Sequence, residues 1–361
     1  MILKKYQKYI CIIFLKNFII VSLVFLGLSF ILNLFEEIKF FDDYNVKISF
    51  IIFLNLLNTP SIFFELFPFI FLISTNFFYI YLNDKNEIEI LKHNGINYFR
   101  ILSVITFLSL VIGFILIIFF YTFTSNLKNQ YLSFKNKFTE KNEYLAVVNE
   151  DGLWIKENLD NSINIIHAKK FLNNKLENVS ITVTDNKFNS KSHLFAEVAN
   201  IERKNWILDG VKILNEEKKL EFLDSMIYKS SFTSKIISNL FSNLSTLNIY
   251  ELFILNKNYR KIGYSNTEVN IHINKLLSLP IFCLLMTIIG FMIMTKFTFL
   301  KSKFLIVTFG VFVSVSIYYL NYLSSVFGSN ETMPVILSIW LPHFILFLLC
   351  INGLLKINEI K

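Results

Sequence analysis

Asp84 and Glu87 stand three residues apart in NDKNEIEILKHNGINYFRIL (83–102), a charged stretch between two apolar ones. An oxygen acceptor followed three residues later by Glu has the spacing of a capping box, in which each side chain satisfies a backbone N–H at the start of a helix. Ile88, Leu91 and Gly95 follow along one face, and Gly95 can take the left-handed conformation that stops a helix. The pattern predicts a short helix over 84–94, bounded at both ends. It can be read as a plain connector, although a connector needs only about two to eight residues.

The rest of the chain carries little chemistry. None of its ten glycines opens a G-x-x-x-x-G-K-[ST] loop, and no Gly-Lys pair occurs, so the phosphate cradle of an ATPase is missing from the sequence. H-E-x-x-H and G-x-S-x-G are missing too. The five histidines are scattered. His167 falls in a predicted strand, where a hydrogen-bonded structural histidine is a simpler reading than a ligand. His343 lies inside an apolar run, where an ionisable group is a functional candidate by default. It follows Pro342, so a hydrogen bond to backbone freed by the proline competes with that role. Glu65, between Phe64 and Leu66, is explained by an interfacial position without a proton relay, and a secondary transporter needs more intramembrane polarity than this. Cys11, Cys283 and Cys350 lie in or beside apolar segments, with neither a disulfide framework nor metal spacing, as buried cysteines do. A capped polar helix in a chain with no ATP site points to a docking element for a separate motor.

The elements that must position these groups are membrane spans. The chain is 54% hydrophobic and holds 41 Phe, above the roughly 45–50% apolar content of soluble domains. Several runs approach or exceed the ~18 uncharged residues that read as a membrane helix. The runs are 17–35, 66–82 (preceded by an apolar stretch at 48–57), 101–123, 276–295, 304–327 and 332–355. Lys16 interrupts the first, so 1–15 reads as an amphipathic lead-in helix with its lysine heads at the interface. No small-residue cleavage site follows the first run, so this segment reads as retained.

Orientation follows from Lys and Arg in the short loops. The N-terminus (Lys4, Lys5, Lys8, Lys16), the second loop (Lys85, Lys92, Arg100), the fourth loop (Lys296, Lys301, Lys303) and the tail (Lys356, Lys361) all fall on one side. That side reads as cytoplasmic, and the net charge of +8 is largely this bias rather than a sign of nucleic-acid binding. The polar region from about 125 to 275 then lies outside the cytoplasm. Its runs YLAVV, LWIK, NIIHA, SITVTD, LFAEVANI, NWILDGVKIL and LEFLDSMIY are short, rich in β-branched and aromatic residues, and separated by turn formers. They predict an all-β sandwich or jelly roll. STLNIYELFILNKNYRKIGY then predicts a helix capped by Thr246, with Tyr250, Phe253, Ile254 and Lys257 on one face and Gly263 at its end.

The expected fold is therefore an α-helical membrane protein with six transmembrane helices, three before and three after an inserted periplasmic all-β jelly-roll domain. The expected divisions are 1–124, 125–265 and 266–361.

Pro60, Pro68, Glu87 and Gly95, in TPSIFFELFPFIFLISTNFFYIYLNDKNEIEILKHNGI, resemble the signature of the lipopolysaccharide-export permeases, the LptF/LptG (YjgP/YjgQ) family. The resemblance spans essentially the whole chain and includes NKLLSLP at 274–280. DGLWIKENLDNSINII and MPVILSIWLPHF look more like the G member than the F member. It implies an inner-membrane permease subunit of an ABC exporter, binding no cofactor itself. A partner permease of the same family, a cytoplasmic LptB-like ATPase dimer that uses ATP and Mg, and LptC/LptA-like periplasmic bridge proteins would complete the system. Lipopolysaccharide would leave the inner membrane and pass through the jelly roll. By position, Asp84, Glu87, Ile88, Leu91 and Gly95 match the ATPase-docking segment, with Ile88 and Leu91 as apolar anchors.

One departure stands out. G members carry basic residues near the outer end of the first span, whereas NLFEEIKFFDD has Asn33, Glu36 and Glu37 with Lys39 as its basic residue. Phosphate recognition favours Lys or Arg donors, so Lys39 is the candidate contact, or the partner permease supplies the cations. Trp154, Phe195, Trp206 and Phe222 are candidates for lining the β domain, with ordinary core packing as the other reading. The competing functions are an ATP-independent carrier and a membrane-anchored periplasmic scaffold.

Overall fold

Apolar runs of this length satisfy their own backbone only as helices. The structure is a computed structural model that describes residues 4–42, 44, 46–138, 153–159, 162–172, 174–184, 190–215, 220–230, 232–234, 237, 243–262, 265–296 and 302–359. Its helices are α1 (Lys5–Phe40), α2 (Ile48–Glu65), α3 (Phe67–Asp84), α4 (Glu87–His93), α5 (Tyr98–Ile115), α6 (Thr122–Lys135), α7 (Ile249–Ile262), α8 (Thr267–Lys296), α9 (Lys303–Ser329) and α10 (Val335–Glu359). The chain divides into one unit of Met1–Tyr131 with Asn270–Lys361 and a second of Leu132–Val269. Among the described residues, six helical stretches are long and apolar enough to cross a membrane: Lys5–Phe40, Ile48–Glu65, Tyr98–Phe138, Thr267–Lys296, Lys303–Ser329 and Val335–Ile357.

Several boundaries differ from the sequence reading. The lead-in segment is not separate: α1 is a single helix of 36 residues, about 54 Å long at 1.5 Å per residue. Lys16 does not break it, because a long aliphatic stem can lie along a helix while its charge reaches away. The stretch at 48–57 belongs to α2, and α3 continues from it after a break at Leu66. Pro68 causes the break, since it donates no N–H and its ring crowds the carbonyl four residues back. The Leu66 N–H bonds Phe63 O instead, at 3.1 Å. α1 packs along both α2 and α3. The third span does not stop at 123 but runs through a π-helical turn at Leu116–Tyr121 into α6.

Polar rungs fix the rotation of the spans. On α5 and α8, Thr287 Oγ1 donates to Ser109 Oγ at 2.8 Å, Gly113 lies against Pro280, and Tyr121 Oη meets His272 Nε2 at 2.8 Å. On α1, α2 and α6, Lys128 Nζ donates to Asn58 Oδ1 at 2.5 Å and Asn58 Nδ2 to Asn33 Oδ1 at 2.9 Å. Asn33 Nδ2 in turn donates to Asn55 Oδ1. Tyr131 Oη donates to the buried Glu37 carboxylate at 2.5 Å. In α10, Pro342 leaves the Ser338 carbonyl without its helical donor, and Ser324 Oγ of α9 takes it at 2.6 Å. The neighbouring His343 ring bonds Ile339 O through Nδ1 at 2.7 Å, a carbonyl of its own helix but not the one that Pro342 frees.

The second unit is the inserted β domain. β1 (Leu153–Leu159), β2 (Ser162–Leu172), β3 (Lys175–Thr184), β4 (Ser190–Asn200), β5 (Asn205–Asn215) and β6 (Leu220–Lys229) form one antiparallel sheet in chain order, hairpin after hairpin. One face is packed: Leu153, Ile155, Ile166, Ala168, Val179, Ile181, Leu194, Trp206 and Leu208 are all buried. The sheet folds over this face. Asn164 Nδ2 of β2 donates to Tyr228 Oη of β6 at 2.7 Å, and Ser230 Oγ donates to Glu157 Oε1 of β1 at 3.3 Å. Burial, and then the nearby Glu157 charge, hold the Tyr228 phenol well above its ordinary pKa, so it stays neutral at this seam.

α7 packs beside β1. Asn248 and Glu251 cap it reciprocally, Glu251 N to Asn248 Oδ1 at 2.9 Å and Asn248 N to Glu251 Oε2 at 3.2 Å. Thr246, the expected cap, ends a preceding 3₁₀ turn. The buried face carries Leu252 and Leu255, while Tyr250 and Phe253 are exposed, so the expected apolar face points outward. Gly263, the expected stop, lies outside the described residues.

Trp206 offers a direct test of this core. Its buried Nε1 donates to Phe232 O at 2.7 Å. Trp206→Phe keeps a ring and removes that donor, leaving a buried carbonyl without it, at a cost of about 1–3 kcal/mol. The expected result is a lower thermal midpoint for the β unit, followed by limited proteolysis of the detergent-solubilised chain.

Candidate functional site

Asp84 ends α3 rather than capping α4. Its carboxylate is taken by Lys303 Nζ at 2.6 Å, and the chain turns at Asn86, which adopts a left-handed φ of 53°, a conformation Asn tolerates better than most residues. α4 is therefore shorter than the expected 84–94, and Glu87 is its first residue. The expected stop is where the sequence put it. Gly95 has φ of 76°, with Gly95 N bonding Lys92 O at 2.8 Å and Ile96 N bonding Leu91 O at 2.9 Å. Those paired bonds form a Schellman motif, and the accompanying Ile96 is buried.

The corner into α5 is equally well held. Arg100 Nη1 donates to Gly95 O at 2.8 Å, Asn97 Oδ1 accepts from Arg100 N at 3.0 Å, and Lys92 Nζ sits 4.2 Å from the centre of the Tyr98 ring. Ile88 points inward and is buried, so it is a packing residue in this chain and not an exposed anchor. Leu91 is half-buried. The exposed apolar side chain of α4 is Ile90, at 56%, which the sequence reading passed over. It missed Tyr9 as well: the Tyr9 hydroxyl of α1 donates to Glu87 Oε1 at 2.7 Å. No local pattern announces a contact spanning 78 residues.

Lys39 is exposed in the last turn of α1. Near it the acidic Glu37 is engaged by Tyr131 and Asn33 by the asparagine network, so Lys39 is an exposed cation beside polar groups already committed to packing.

In the β unit, three of the four lining candidates share one row. Trp154 pairs with His167, His167 with Ser180, Ser180 with Phe195, Phe195 with Lys212 and Lys212 with Phe222. Directly paired residues lie on one side of a sheet. That side is the unpacked one: Trp154, Phe195 and Phe222 are 51%, 47% and 68% exposed. Trp206 is fully buried on the opposite, inner face. Of the four, then, only Trp206 faces the interior of the curled sheet, and the other three form an apolar row outside it, with the Lys212 ammonium 5.9 Å from the Phe222 ring centre.

The sequence matches the family described as Lipopolysaccharide export system permease LptF/LptG over residues 8–356, nearly its full length. The chain belongs to the LptF/LptG family. No curated protein matches it. The match is to the joint F and G family, so the resemblance of 151–166 to G members adds no subtype. As a lipopolysaccharide-export permease with six apolar helices, it is a multi-pass inner-membrane protein and a transporter subunit rather than an enzyme. Among its described residues, no group of three or more His, Cys, Asp or Glu could hold a metal ion.

Proposed function

We propose that this LptF/LptG permease is driven by a separate cytoplasmic ABC ATPase that docks on α4, and that it moves lipopolysaccharide out of the inner membrane toward a periplasmic bridge. One observation carries this reading: a family permease without a phosphate-binding loop in its sequence holds a short acidic helix at a corner braced from two other spans, by Tyr9 and Lys303. A plain loop needs no such bracing. The positive-side bias of the short loops supports a cytoplasmic location for that corner and both termini. The same bias supports a periplasmic location for the β unit.

A partner permease of the family would complete the membrane conduit, and LptC/LptA-like proteins the bridge. ATP and Mg act on the partner ATPase. The inner face of the curled sheet, lined by Trp206, Ile166 and Leu208, has the apolar character that acyl chains need once its seam parts. Lys39 remains the candidate phosphate contact on the first span.

The test is depletion of the chain in its own host. Newly made lipopolysaccharide is expected to accumulate in the inner membrane, and the purified chain to carry lipopolysaccharide and an ATPase identifiable by mass spectrometry. Normal lipid delivery after depletion would overturn the assignment. An ATP-independent carrier predicts export with no ATPase bound, and a scaffold predicts that the β unit alone sustains it.

A further inference from the structure

We propose that Tyr9 is a latch on Glu87, masking the docking carboxylate in the free permease and releasing it when the ATPase binds. The inference rests on the reading of α4 as the docking element. Both oxygens of Glu87 are occupied or covered as the chain stands. Oε1 accepts the Tyr9 hydroxyl at 2.7 Å, while Oε2 is buried and accepts no hydrogen bond among the described residues. A carboxylate oxygen that is hidden without a donor is held at a cost. The same side chain turned outward would expose both oxygens to a cationic group of the incoming subunit, and charge-assisted pairs of that kind are the stronger ones.

Tyr9 decides between the two orientations. It lies at the start of α1, its ring remains part-exposed, and among the described residues its hydroxyl bonds Glu87. The rest of the corner does not need to move when the latch opens. Asp84 stays on Lys303, and Arg100 stays on the Gly95 carbonyl. What changes is one rotamer of Glu87 and the freedom of the first turns of α1. Docking is thereby wired directly to the first span.

The sign of the effect follows. If only an unlatched fraction can dock, apparent affinity is reduced by that fraction, and removing the latch restores it. The experiment compares wild type, Tyr9→Phe, Glu87→Ala and the double variant. Each permease complex is stripped of its ATPase, reconstituted in nanodiscs and titrated with the ATPase that co-purifies with the wild type. Tyr9→Phe is expected to raise the association rate at least about ten-fold, the lower end of what one hydrogen bond to a charged acceptor is worth, with the dissociation rate unchanged. In the Glu87→Ala background the same substitution is expected to have no effect.

An unchanged or slower association of Tyr9→Phe would overturn the latch, and so would a gain that persists without Glu87. If Glu87→Ala itself leaves ATPase binding intact, the docking assignment fails instead. The two failures are therefore distinguishable.

Discussion

Glu87→Arg is expected to strip the ATPase from the purified complex. The substitution removes the one carboxylate of α4 that the corner holds in place, and it sets a new cation among Lys85, Lys92, Arg100 and Lys303. It also removes the acceptor of Tyr9. Truncating one partner of a desolvated charge pair costs about 2–5 kcal/mol, and a reversal adds repulsion between like charges. Affinity should fall by at least about 100-fold, enough to lose the subunit during mild-detergent purification, since each tenfold is about 1.4 kcal/mol. The α4 fold itself should survive, because its stop depends on Gly95 and its base on the Asp84–Lys303 pair, neither of which is altered.

Ile90→Ala should weaken docking less, by about 1–2 kcal/mol, the transfer value of an apolar side chain that is already part-exposed. Ile88→Ala should act on stability instead, because Ile88 is buried within the chain. An ATPase that stays with Glu87→Arg through purification would end the docking assignment.

Gly113→Ala should unfold or badly destabilise the membrane unit, whereas Gly27→Ala should not. A Cβ at Gly113 would lie 2.7 Å from Pro280 Cα and 3.0 Å from Pro280 Cβ. Those atoms belong to backbone and a rigid ring, so neither can swing aside. α5 and α8 would have to part, and the parting would stretch the Ser109–Thr287 and Tyr121–His272 rungs on either side. Overpacking costs about 1–3 kcal/mol, and interhelical hydrogen bonds within a membrane average about 0.6 kcal/mol each.

At Gly27 a Cβ would meet nothing within 4 Å. There Ala gains the helix propensity that Gly lacks, up to about 1 kcal/mol. Thermal unfolding of the two variants in one detergent should therefore shift in opposite directions. A Gly113→Ala midpoint equal to wild type would show that the two helices are not packed this closely.

Much of this protein was legible from spacing alone, and the legible parts share a physical origin. A membrane span must bury its backbone within itself, so length and apolarity suffice to announce it. The inserted strands announce themselves through β-branched runs between turn formers. Gly95 announces a stop because few other residues take a positive φ cheaply. Each of these signals is local, carried by residues within a turn or two of one another.

What remained hidden was every decision made between distant elements. The rotation of α4 about its axis decided that Ile88 faces inward and Ile90 outward. The approach of α1 decided that Tyr9 holds Glu87, and that of α9 that Asp84 pairs with Lys303 instead of capping. In the β unit, Asn178 and Gly210, with φ of 52° and 65°, interrupt simple alternation, so buried positions step from Leu176 to Val179 and from Leu208 to Val211. Because a one-residue change of phase sends side chains to the other face, the aromatic candidates divided, Trp206 to the inside and Trp154, Phe195 and Phe222 to the outside. The sequence determined which segments are helix, strand and stop, since those follow from local sterics and backbone hydrogen bonding. Only the tertiary structure decided which faces meet, since that depends on how whole elements turn against one another.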